Sequence, residues 1–119
     1  MKSKSLPTLH PRLRIMSHKK IAVGPGKANL LDLISKTGSI GEAASRMDMS
    51  YMRAWSLVRE MNKCFKLPIV ELARGGHEHG GAKLTPMGRR TLKLYRRMEK
   101  DSLKKVQTSW RALRRLLRG

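Results

Sequence analysis

Three helical stretches, then an extended run, a glycine-rich tip and a second extended run, then a final helix, predict a mainly α fold with a small β-wing. This is the winged helix-turn-helix, here with a long C-terminal helix. The helical stretches fall between residues 27 and 66 and are set off by stop and cap residues. Four glycines in the seven residues Gly75 to Gly81 separate Ile69–Ala73 from Ala82–Leu84, as at the tip of a β-hairpin. Thr85-Pro86 then supplies a cap residue and a proline at the first helical position, and residues 89 to 118 hold no Gly or Pro, so one long helix is expected there.

In order, residues 1–11 read as a flexible basic arm, 12–100 as the domain, and 101–119 as an extension of the last helix. The first 27 residues carry seven Lys and Arg and no acid. Leu13, Ile15, Ile21 and Val23 alternate weakly with basic residues, which predicts a strand or short hairpin, and Gly24-Pro25-Gly26 breaks it. Leu30, Leu31, Leu33 and Ile34 give residues 27–37 helical spacing, with Gly38 as the stop. Ser39 and Glu42 fit a capping box for a second helix of about two turns through Ala43, Ala44 and Met47. Asp48 marks a tight turn, and Ser50 caps a third helix reaching about Lys66, before Pro68.

Composition narrows the function. The chain of 119 residues suits one domain with one core. It has 27 Lys and Arg against 8 Asp and Glu, a formal charge of +19, which calls for a polyanionic partner. Five aromatics are too few for a single-strand binder that stacks bases on a row of rings. A lone cysteine, Cys64, excludes an internal disulfide framework and a four-cysteine zinc site. No apolar run is long enough to span a membrane, and Met1–Leu9 lacks the apolar stretch of a signal peptide. A cytoplasmic, nucleoid-associated protein is expected.

The third helix carries the specific signal. Ala54, Leu57 or Val58, Met61 and Phe65 recur at helical spacing and are expected inward. Met52, Arg53, Ser56, Arg59 and Lys63 fall opposite. Arg and Ser near a helix start, here with Ser50, Tyr51 and Met52, are residue types that reach base edges in a major groove. Ser39, at the start of the second helix, joins them as a candidate contact. The wing, with Arg74, His77 and Lys83, would enter the minor groove or ride on phosphates. His77-x-His79 is a weak metal set with nothing to complete a tetrahedron, so no metal and no cofactor are expected. Cys-x-x-Cys, His-Glu-x-x-His, Gly-x-Ser-x-Gly and paired carboxylates are absent, so no enzyme is expected. Cys64 reads as a small buried residue.

These residues resemble a known family. Thr37-Gly38-Ser39-Ile40, Ala43-Ala44, Met49-Ser50-Tyr51, Ala54-Trp55 and Glu60-Met61-Asn62 are similar to the DNA-binding domain of the molybdate-responsive (ModE-like) regulators. So are Gly75-Gly76, Gly80-Gly81-Ala82, Leu84-Thr85 and Gly88. The similarity covers roughly residues 24 to 100. The helix-turn-helix also resembles that of LysR-type regulators. The resemblance implies a prokaryotic transcriptional regulator that binds operators as a dimer. The family's sensor domains follow the DNA-binding domain, whereas this chain stops at Gly119, so molybdate binding is not carried over.

The expectation is therefore sequence-specific binding of double-stranded DNA for transcription control. The alternative is a nucleoid-type architectural protein without sequence preference; a membrane-surface role for the basic tail ranks below both, because a complete domain precedes the tail. Leu103, Val106, Trp110, Leu113 and Leu117 follow an a/d spacing over about two heptads and are expected to join a homodimer on an inverted-repeat operator. Leu92, Tyr95 and Met98 form a second stripe, expected to pack on the core.

Overall fold

A computed structural model of the chain describes residues 6–73 and 81–118. The elements are β1 (Ile15–Ser17), β2 (Lys20–Val23), α1 (Pro25–Thr37), α2 (Ile40–Arg46), α3 (Tyr51–Cys64), β3 (Val70–Leu72), β4 (Ala82–Leu84), α4 (Pro86–Lys105) and α5 (Gln107–Arg114). The first two strands form one antiparallel hairpin and the next two another.

The β1–β2 connection is His18-Lys19, both with left-handed φ (50° and 66°), between the paired Ser17 and Lys20. Two consecutive positive φ values are the type I′ geometry that fits the twist of paired strands, adopted here without glycine. Pro25 starts α1 two residues before the expected boundary, because its missing N–H costs nothing in a first turn. Gly38 ends that helix at φ 72°, its N–H on the Ile34 carbonyl at 2.8 Å. Ser39 Oγ accepts from the Glu42 N–H at 3.1 Å. The Ser39 N–H goes to Thr37 Oγ1 at 3.2 Å, so Thr37 fills the half of the capping box expected of Glu42. Asp48, φ 54°, makes the turn between α2 and α3.

Leu30, Leu31 and Ile34 of α1, Ala43 and Ala44 of α2, Ala54, Val58 and Met61 of α3, and Ile69 form the core. The alanines of α2 and Ala54 leave no bulk between the two helices, which brings them close. Leu57 and Phe65 are half-buried against the same cluster. Asn62 ties α3 to the wing: Oδ1 accepts from the Ile69 and Val70 N–H groups at 2.8 and 3.1 Å, and Nδ2 donates to the Val70 carbonyl at 3.1 Å. Thr85 Oγ1 donates to the Pro68 carbonyl and caps α4 through the Gly88 N–H.

Three expectations change. The single long helix is broken at Val106, which ends α4 and begins α5. The Gln107 side-chain amide donates to the Leu103 carbonyl at 2.7 Å; a side chain inserted into the backbone ladder kinks a helix without Gly or Pro. Met98 does not pack on the core and is 43% exposed, whereas Tyr95 is buried and donates to the Leu13 carbonyl at 2.7 Å, fastening the start of the hairpin to α4. Burial, with Glu99 adding to it, pushes the Tyr95 phenol up, so it stays a donor. Cys64 is half-buried, not buried.

No residue of α5 is buried. The radius of gyration is 17.3 Å, against about 13.5 Å for a compact chain of this length.

Candidate nucleic-acid interface

Ser50 Oγ accepts from the Arg53 N–H at 3.0 Å and opens α3. From there the 3.6-residue period separates three faces. Ala54, Val58 and Met61 point into the core. Met52, Ser56, Arg59 and Lys63 make an exposed stripe opposite, with Tyr51 exposed at the start. Arg53, Leu57 and Glu60 turn to a third side, where the β1–β2 hairpin lies, and the turn of that hairpin also borders Ser56, Arg59 and Lys63. Helical spacing groups Arg53 with the outward stripe; in the fold it is exposed but borders a groove with Arg12 and Arg14.

Arg59 lies over the Trp55 ring, 5.1 Å from the centroid. This cation–π contact orients the guanidinium along α3 and reduces the rotamer freedom lost on binding. Glu60, on the third side of α3, does not stay free. It takes the ammonium of Lys27 at 2.7 Å, and the same ammonium donates to the Ile21 carbonyl. Lys27 is the one buried cation among the described residues, and it bolts β2 and α1 to α3.

The Lys27 hydrogen bond, then its charge, holds the Glu60 carboxyl below the usual carboxylate range. A carboxyl more acidic in the folded state stabilises the fold above its ordinary range, and that contribution is lost as pH falls through the folded value. Glu60→Gln is therefore expected to cost about 1 kcal/mol at pH 7, the half-exposed carboxylate being partly screened. The difference from wild type should shrink in unfolding curves taken near pH 3. Equal differences at both pH values would contradict the pairing.

Ser39 and Ser50 are both helix caps through their hydroxyls. Lys83, on β4, pairs with Glu71 across the ladder at 3.5 Å. Arg74 and His77, and the His77-x-His79 pair, lie outside the described residues. Of the expected dimer residues, Leu103 and Trp110 are half-buried while Val106, Leu113 and Leu117 are exposed. The break at Val106 means that they do not share one uninterrupted helix. The sequence reading missed Lys27 as a bridge and Arg12, Arg14, Lys19 and Lys20 as neighbours of α3. The signal was the acid-free basic run through residue 27.

An α2–turn–α3 pair packed on α1, with the β3–β4 wing leading into α4, defines a winged helix-turn-helix protein. No family model matches the chain. It is 40% identical over 77 residues to the molybdenum-pterin-binding protein MopB of Rhodobacter capsulatus, covering 65% of this chain and 28% of that protein. It is 37% identical over 83 residues to the DNA-binding transcriptional dual regulator ModE of Escherichia coli K12, covering 70% of this chain and 32% of that one. Over this stretch the chain is a homologue of the ModE and Mop proteins, as its motifs implied, and it spans about a third of their length. Among solved structures, Streptococcus pneumoniae FabT in complex with DNA superposes with a TM-score of 0.54 at 14% identity, covering 72% of this chain and 61% of that one. That likeness supports the fold.

Proposed function

We propose that the chain is a sequence-specific double-stranded DNA-binding regulator of transcription, with α3 in the major groove and the wing on the backbone or in the minor groove. The observation that carries this is the exposed stripe Met52, Ser56, Arg59 and Lys63, which has no acid on it and one arginine held on Trp55. The ModE relative is named a DNA-binding transcriptional regulator, and FabT was solved on DNA, which supports the same reading. The role is binding, not catalysis. Among the described residues no helix is long and apolar enough to cross a membrane.

Arg59→Ala tests it. On the best site selected from random duplexes, the loss should be about 1–3 kcal/mol, with preference relaxed at one base pair. Equal losses on selected and random DNA would make Arg59 a phosphate contact and favour the architectural reading.

The assembly we propose is a homodimer joined through α5 and the end of α4. Leu113 is exposed on α5, Leu116 and Leu117 are exposed just past its end, and none of α5 is buried, alongside the half-buried Trp110. Contiguous apolar patches of this kind are uncommon on soluble monomers. Two-fold symmetry would place two α3 helices about 34–36 Å apart, matching an inverted repeat. Sedimentation should show a dimer for the intact chain and a monomer for a chain cut after Asp101. A monomeric intact chain at tens of micromolar would contradict the interface, and dimers in both would move it to the N-terminal half.

A further inference from the structure

The β1–β2 hairpin, the start of α1 and α3 enclose a groove of about 570 Å³. Six cations line it, Arg12, Arg14, Lys19, Lys20, Lys27 and Arg53, against one carboxylate, Glu60. Lys27 occupies that carboxylate. None of the other five pairs with an acid among the described residues, and all five are exposed. Five like charges around one concavity repel one another, and a bound polyanion relieves the repulsion.

We propose that this groove seats a phosphodiester of the DNA backbone, making the β1–β2 hairpin a second clamp beside α3. The inference rests on the DNA-binding reading above and adds a part to it. Arg53 is the link: it lies on α3 one stripe away from the outward face and also borders the groove. A helix in the major groove has a phosphate strand on each side, and contacts to those strands fix its register without reading sequence. The wing follows α3 in the chain and offers one such contact; the hairpin, on the Glu60 side of α3, is placed for another.

The hairpin is held rigidly enough for this. Its turn is a two-residue I′ loop, the Ile21 carbonyl is bound by Lys27, and Leu13 by Tyr95. Gly26 lines the groove, and a Cβ built there meets nothing within 4 Å, so the floor is open backbone.

Two variants test the proposal without touching the core. Arg14→Gln with Lys20→Gln removes two groove cations. Gly26→Glu adds an acid to the groove at the first turn of α1, where acids favour a helix. Titration of selected and random duplexes should show each variant binding about tenfold or more weakly, by the same factor on both. The slope of log affinity against log salt should be shallower by about 0.9 per phosphate lost. Thermal unfolding of Gly26→Glu should match or exceed wild type. Lys93→Gln with Lys100→Gln, equal in charge and exposed on α4 away from the groove, should leave affinity within a factor of about two, which separates the groove from net charge.

Wild-type affinity and slope in both groove variants, with Arg59→Ala still impaired, would overturn the clamp and leave the DNA reading standing. No duplex binding by wild type would overturn both. Stabilisation of wild type by inorganic phosphate, lost in the groove variants while their DNA binding is intact, would give the groove to a free anion and also overturn the proposal.

Discussion

Gly88→Ala is expected to destabilise the fold by about 3 kcal/mol, although alanine is the better helix former by about 1 kcal/mol. Gly88 lies in the first turn of α4, where a Cβ would stand 2.0 Å from the Ile69 carbonyl oxygen and 2.9 Å from its carbon. No rotamer relieves a clash between a Cβ and backbone. Nor can Ile69 step aside: its side chain is fully buried, its N–H is on Asn62 Oδ1, and its carbonyl accepts from the Thr85 N–H at 3.0 Å. Displacing it would move the wing relative to α3 or strip two hydrogen bonds. The melting temperature should fall by roughly 10–15 °C. Gly26→Ala, with nothing within 4 Å of the new carbon, should leave it unchanged or raise it. A Gly88→Ala protein that melts with wild type would contradict this packing.

The helix ends were legible because capping is local chemistry. Gly38 in left-handed conformation, Ser39, Ser50 and Thr85 as caps, and Asp48 at the turn all follow from residues within four positions of each other. The inward face of α3 was legible for the same reason, since helical period alone assigns Ala54, Val58 and Met61. What depends on distant partners was not. Lys27 and Glu60 are 33 positions apart, and nothing in either neighbourhood marks the pair. The I′ turn is made by His18-Lys19, without the Asn-Gly or Asp-Gly that announces such turns. The break at Val106 comes from an amide competing for a carbonyl, which propensity does not register. Arg53 illustrates the limit within the site. Its period put it on the outward side of α3, but which groove it borders was decided by where the N-terminal hairpin packs, and that follows from Lys27 and Tyr95.

The other large effect expected is on salt dependence. Each phosphate neutralised by a lysine or arginine releases condensed counterions, so log affinity falls by about 0.9 per phosphate for each unit of log salt. Arg59 and Lys63 on α3, with Arg12, Arg14, Lys20 and Arg53 around the hairpin groove, give the chain several such candidates. At least about six contacts are expected for a dimer, a slope near −5, so affinity should drop about a thousandfold between 50 and 200 mM salt. The drop should appear on random and selected duplexes alike, because phosphates are common to both. The ratio between the two should change much less, since base-edge hydrogen bonds release few ions. Titrations at four or five salt concentrations measure both quantities together. A steep slope with a ratio near one would describe an architectural protein that grips backbone without reading it. A slope near zero on both kinds of duplex would remove nucleic acid as the partner, leaving a formal charge of +19 to be explained by some other polyanion.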